Sequence, residues 1–436
     1  MIRIDNAMVW TGGGLQQLSI AVHGEKIAAL IQPEDAQGFH ADEVVHAGGL
    51  WILPGGIDLH THISEADETF QRGTSCAASG GITTVFDMAP FHACITVDQL
   101  EQKTAEVEAN SVIDVGLIGG IVIENSDLDH MDELAEAGTS FFKIFQPAEP
   151  PVSTETIWKA VQTAAHTGMR LDLHAEDPSF LLPLGNPNDP LSFPHSRPAV
   201  AETSMVAQVI DMARAAGAPI HICHISTGRT AELVAWGKAH GVAVTCETTP
   251  HYLLLDESDF AVYGARVKTT PPLRLKKDCQ ELWQALEDGI IDAIISDHYT
   301  ESSAPLPMGA EFIPDAPAGI AGLEVSLPLI MHEVLQGKLS LQRFVEATAT
   351  TPAKLAGISM LKGSILPGMD ADLAFWDPEA SWHVAPAVEF SRIHTTPFAG
   401  RTLNGSITRT WVRGKQVWDG RKIQVAPGYG RRVKTL

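Results

Sequence analysis

Two histidines one residue apart, His60 and His62 in "WILPGGIDLHTH" (51–62), open the question of chemistry. Alternate residues of a strand share a face, so this spacing presents two imidazoles together. Imidazole nitrogen and carboxylate oxygen are ligands suited to zinc and similar divalent ions. The pattern recurs in His174 of "MRLDLHAE" (169–176), in His221 and His224 of "APIHICHIS" (218–226), and in Asp297 and His298 of "DAIISDH" (292–298). A lone histidine ending a strand is more often a hydrogen-bonded structural residue than a ligand. With Lys143 included, however, six candidate ligands, His60, His62, Lys143, His174, His224 and Asp297, fall at the ends of five apolar runs. That coincidence predicts a metal site.

Lys143 stands in the middle of "SFFKIFQ" (140–146), which reads as a buried strand between Gly138 and Pro147. A lysine is almost never fully buried without a partner. Burial disfavours the ammonium and exposes a neutral amine. Such an amine can add carbon dioxide to give a carbamate, an anionic carboxylate on a long stem able to bridge two cations.

The elements that must position these groups are short β-branched runs alternating with helical patterns. Strands are expected at 51–62, 82–88, 114–123, 140–146, 169–176, 218–226, 242–249 and 292–298. "TVDQLEQKTAEVEAN", "TETIWKAVQTAAHTG" and "GRTAELVAWGKAHG" between them show helical spacing. Eight strands with crossovers predict an α/β fold, a TIM-type (β/α)₈ barrel over 51–362, with active residues at the C-terminal strand ends. An open doubly wound sheet is the competitor, but no Gly-rich dinucleotide turn or P-loop follows an early strand. Residues 1–50 and 363–436 carry short strands and turn signals, predicting a small bipartite β domain, a β-sandwich built from both chain ends. The Pro-, Asn- and Asp-rich stretch 180–198 is expected as a loop over the active face.

The 53 acidic and 30 basic residues give a formal charge of −23, which disfavours a nucleic-acid partner. Five cysteines are too few and too scattered for a disulfide framework. No apolar run approaches the roughly 20 residues needed to cross a bilayer. The opening "MIRIDNAMVWTGGG" lacks a signal-peptide layout, so a soluble cytoplasmic protein is expected.

Taken together, "PGGIDLHTHISE", "GGITTVFDM", "FFKIF", "LDLHAED", "SRP", "HICHIS", "TCETTPHYLLLD", "TTPPLR", "SDH", "GIAGLEVSLPL" and "GSILPGMDADL" span nearly the whole chain. They resemble the amidohydrolase superfamily, in its cyclic-amidase branch of allantoinases, dihydroorotases and hydantoinases (dihydropyrimidinases). The resemblance implies a distorted barrel with a flanking β domain and a binuclear centre, usually of zinc, bridged by N6-carboxylysine. It places His60, His62 and Asp297 on the more buried ion, His174 and His224 on the other, and carboxylated Lys143 between them. His221 matches no ligand position and reads as structural, while Cys223 and Cys246 read as packing residues near the rim.

The implied reaction is hydrolysis of a small cyclic amide, ureide or imide. A bridging hydroxide is the nucleophile, and Asp297 is the catalytic group that passes a proton to the ring nitrogen. Ser64, Phe91, Arg197, Thr270, Arg274 and His298 are candidate substrate contacts; the two arginines read more readily as braces for loops. Dihydroorotases carry Arg where this chain has Ser64 and Asn near Phe91, and hydantoinases carry Tyr where it has Ala148. Allantoinases share Ser at position 64, so an allantoinase-like enzyme is the leading expectation. Dihydroorotase, hydantoinase and cyclic imide hydrolase are the alternatives. A silent scaffold homologue would lack one of the six ligand positions, and this chain keeps them all. The resemblance also implies a homodimer or homotetramer.

Overall fold

The computed structural model describes residues 1–65, 68–88, 93–300, 316–385, 390–391 and 396–435. Eight strands surround its centre: β1 (Gly56–Thr61), β2 (Ile82–Asp87), β3 (Asp114–Leu117), β4 (Phe142–Phe145), β5 (Leu171–His174), β6 (Ile220–Ile222), β7 (Val244–Thr248) and β8 (Ala293–Ile294). Pairing is parallel from β1 through β3 and from β4 through β8. Two irregular seams complete the ring. Between β3 and β4, Gly119 N donates to Phe141 O at 3.1 Å, and the short strand Ile121–Val122 pairs with β4. Between β8 and β1, His62 N donates to His298 O at 2.9 Å and Asp297 N to His60 O at 3.1 Å. The result is a distorted (β/α)₈ barrel.

Helices cross between the strands where capping chemistry marks them. Thr96 caps Val97–Asn110, Ser153 caps Thr154–Thr167 and Thr227 caps Gly228–Ala239. Gly168 ends the second of these in the left-handed region, at φ 73°.

Glycines break two of the expected strands. The run 51–62 divides at Gly55, where an added Cβ would lie 2.2 Å from the Thr83 side chain. Its first half, Trp51–Pro54, pairs with Ile2–Trp10 and Leu373–His383 in a separate eight-stranded sheet. Only the second half enters the barrel. The run 114–123 divides at Gly119–Gly120, and Gly120 has φ +61° with the Phe142 ring 2.6 Å from the place of a Cβ.

The eight-stranded sheet joins strands from both chain ends around its own core of Ile4, Val9, Ile20, Ile27, Phe375 and Trp411. The C-terminal strand Arg432–Val433 leaves it and pairs with β3 of the barrel. Residues 180–198 are irregular apart from the short helix Ser192–Ser196. Among the described residues, no helix is long and apolar enough to cross a membrane.

Candidate metal centre

The barrel brings all six expected ligands to one end. His60 lies in β1 and His62 just beyond it, Lys143 is the second residue of β4, and His174 ends β5. His224 and Asp297 sit past the ends of β6 and β8. Both adopt positive φ, 34° and 48°, where a non-glycine side chain is strained. That bend turns each side chain towards its neighbours instead of letting the strand continue.

Buried carboxylates decide which nitrogen each histidine offers. Glu247 of β7 holds His60 Nδ1 at 2.6 Å, and Glu65 holds His62 Nδ1 at 2.7 Å. In both rings Nε2 then faces inward, and each lies 3.5 Å from the same Asp297 oxygen. His60, His62 and Asp297 offer ligand atoms all within 4.8 Å of one another. In His174 the roles reverse. Glu176 takes Nε2 at 2.7 Å, leaving Nδ1 aimed at His224 Nε2, 3.2 Å away. Such carboxylate–imidazole pairs fix tautomer and ring orientation in metal sites.

The charges follow from this geometry. Burial pushes the His60, His174 and His224 imidazoles down, so they are held as neutral donors. Burial also opposes the His62 imidazolium, but Asp297 and Glu65 outweigh it and carry this group up to about 9. Burial opposes the Asp297 carboxylate too, yet His60, His62 and His224 hold it well below the usual carboxylate range.

Lys143 is buried, and its Nζ lies 3.0 Å from Cys223 Sγ. Among the described residues, no carboxylate forms an ion pair with it. His224 Nδ1 is buried without a hydrogen-bond partner. A buried lysine with no ion-paired carboxylate among the described residues, beside neutral imidazoles with converging lone pairs, is costly as it stands. The donor set fits divalent cations, with His60, His62 and Asp297 on one side and His174 and His224 on the other.

His62 and Asp297 keep 15% and 14% of their side chains exposed, whereas His174 and His224 are almost wholly buried. His62 and Asp297 are therefore the more open of the six side chains, while His60 beside them is buried. The Glu176–Arg197 pair helps to close the His174 side.

Several expected substrate contacts prove to be committed elsewhere. Arg197 forms a two-pronged contact with Glu176 at 3.1 and 2.7 Å. Arg274 donates to Ser226 Oγ at 2.9 Å and to Arg197 O at 2.5 Å. Both act as braces, the role that planar guanidinium forks suit. His298 is buried, with Nδ1 accepting from Gly322 N at 3.1 Å and Nε2 facing Glu68 at 3.3 Å, so both nitrogens have partners. Ser64 Oγ donates to Asp87 at 2.7 Å. Thr270 is half-buried in a segment tied by Gly319 N to Lys268 O and by the Tyr252 hydroxyl to Pro271 O. Phe91 lies outside the described residues.

His221 bonds Thr245 at 2.8 Å and faces Glu247 at 3.1 Å, a structural place in keeping with its lack of a ligand position. Cys246 Sγ meets Ile290 O, whereas Cys223 sits against Lys143. Glu65, Glu176 and Glu247 escape a reading based on ligand spacing. Their one signal was an acid two or three residues after a histidine in "HTHISE" and "HAE", and Glu247 had none.

Residues 51–417 match the sequence profile of the Amidohydrolase family. An allantoinase of Salmonella choleraesuis (strain SC-B67) is 33% identical over 438 residues, covering 95% of this chain and 94% of that protein. An allantoinase of Escherichia coli (strain SE11) has the same identity and coverage. Among solved structures, L-hydantoinase (dihydropyrimidinase) from Arthrobacter aurescens aligns with a TM-score of 0.91 and 29% identity over 99% of both chains. Dihydropyrimidinase from Brevibacillus agri NCHU1002 aligns at 0.88 and 27%, over 99% of this chain and 98% of that one.

Proposed function

The chain belongs to the amidohydrolase family, and we propose that it hydrolyses a ring C–N bond of an uncharged cyclic amide or ureide, with allantoin as the first candidate. The observation that carries this reading is the convergence of His60, His62 and Asp297, with His174 and His224 opposite, around a buried lysine that has no carboxylate partner among the described residues. His60, His62 and Asp297 would hold one divalent cation, zinc by donor type, and His174 and His224 a second. When bound, these ions supply Lewis acidity to the scissile carbonyl and lower the pKa of the attacking water.

The chain's own residues do the rest. The Lys143 amine adds carbon dioxide: an N–C bond forms, one proton leaves to solvent, and the anion supplies the charge that the lysine pocket lacks. Asp297, ionised and partly open to solvent, accepts a proton from water and delivers it to the departing ring nitrogen. Without that transfer an amide anion would have to leave, which is slow. Glu247, Glu65 and Glu176 keep the imidazoles aimed throughout.

The committed arginines favour an uncharged ring. A ring carboxylate wants a charge-assisted partner, and Arg197 and Arg274 are already bound to Glu176, Ser226 and the Arg197 carbonyl. The allantoinase relatives favour a ureide. The hydantoinase likeness in fold favours a hydantoin-type ring as the second reading. Steady-state assays of metal-loaded protein on allantoin, hydantoin, dihydrouracil, succinimide and dihydroorotate test both. Preferred turnover of an uncharged ring is expected. Dihydroorotate as the best substrate, or no turnover of any ring, would overturn the proposal.

A further inference from the structure

We propose that Tyr299 is the aromatic wall of the substrate pocket and selects flat, uncharged rings, an inference that rests on the cyclic-amide reading above. Its ring stands edge-on to His62, with centroids 5.7 Å apart and planes at 86°. His62 and Asp297 are the ligand side chains open to solvent. A ring approaching the centre from that side meets Tyr299, which is itself half-buried.

A second observation shows that the ring is held in place. Gly319 has φ +157°, and a Cβ built there would lie 2.6 Å from Tyr299 Cβ and 2.7 Å from its Cδ1. Only a residue without a side chain lets this backbone close on the tyrosine. The clamp is tied down in turn, because Gly319 N donates to Lys268 O at 2.9 Å and Tyr299 N to Ile320 O at 3.4 Å. Tyr299 is thus fixed between an imidazole and a backbone segment, without the freedom of an exposed surface tyrosine.

Two other positions offer little polar recognition. Ala148 presents only a methyl group, and the Ser64 hydroxyl is bound to Asp87. A fixed aromatic ring gives a flat amide ring dispersion and offset contacts, while its electron-rich face disfavours a carboxylate. Tyr299 is accordingly a specificity residue, and the chemistry stays with Asp297 and the ligand set.

The test uses the metal-loaded full chain with hydantoin, succinimide and allantoin as probes. Tyr299→Ala is expected to raise KM for the flat rings about tenfold with kcat changed less than about threefold, the pattern of lost uniform binding. Metal content and melting temperature should stay at wild-type values. Tyr299→Phe should keep KM within about twofold of wild type, because the ring carries the contact. Gly319→Ala should raise KM in the same direction by displacing that ring. An active wild type whose KM ignores Tyr299→Ala would overturn this inference alone, as would a Tyr299→Phe variant as impaired as Tyr299→Ala. A wild type that opens no ring would sink the functional reading and this inference with it.

Discussion

Two clusters of buried charge sit at opposite ends of the same barrel, and they are built on opposite terms. At the N-terminal end, Asp114 opens β3 and meets Lys362 at 2.7 Å and Arg413. Lys362 also reaches Asp372 at 2.5 Å and Asp370 at 3.3 Å, and Lys26 joins Asp370 at 2.7 Å. Carboxylates and cations alternate here, with Glu25 joining Arg413 and Arg431 at the edge, and the contacts tie the barrel to the flanking sheet. At the C-terminal end, Lys143 has no carboxylate in ion-pair contact among the described residues, and two histidines aim ring nitrogens at each other. A matched cluster needs nothing further. A mismatched one marks where a fold gives up stability for a site.

The widest separation between the two should come from one substitution made at each end. Lys143→Met is expected to lower kcat/KM by at least about a thousandfold while leaving the melting temperature unchanged or higher, because it removes an unpaired buried amine. Lys362→Met removes the partner of three carboxylates. It should cost about 3–5 kcal/mol in denaturant unfolding while the folded fraction keeps its kcat. If both variants lose stability equally, the distinction between the clusters collapses.

A smaller effect tests the bracing behind His174. Arg197→Gln releases Glu176, and through it His174. Metal affinity, read by chelator competition, should fall about 10- to 100-fold, with stability little changed.

The smallest effect is a pH slope. Burial pushes the His251 imidazole down to about 4 from 6.5, with Asp297 acting weakly the other way, and its Nε2 is buried without a partner. Between pH 6.5 and 4 the unfolded chain takes up this proton and the folded chain refuses it. Its contribution, up to about 3 kcal/mol, is therefore present above pH 6.5 and lost as pH falls through 4. His251→Gln should flatten the melting-temperature profile across that window by a few degrees. A slope identical to wild type would remove His251 from the account.

What the sequence disclosed about these clusters follows from the range of each interaction. The strand-end histidines and Lys143 were legible because a strand's period and a buried lysine are local signals. The sheet switch at Gly55 and the break at Gly119–Gly120 were not, since an apolar run does not say which sheet it joins. A close approach to Thr83 or Phe142 decides that. For Arg197, Arg274 and His298 the choice between substrate contact and brace stayed open in the sequence, because their partners Glu176, Ser226, Gly322 and Glu68 lie 21 to 230 residues away. Glu247, 187 residues from His60, was invisible for the same reason.

The central claim is that the mismatched lysine is completed by carbon dioxide. Carbon-13 NMR of protein loaded with divalent metal in 13C-bicarbonate tests it most directly. A carbamate resonance in the wild type that is absent from Lys143→Met is the predicted result. An enzyme that turns over its ring substrate while showing no carbamate carbon would contradict it.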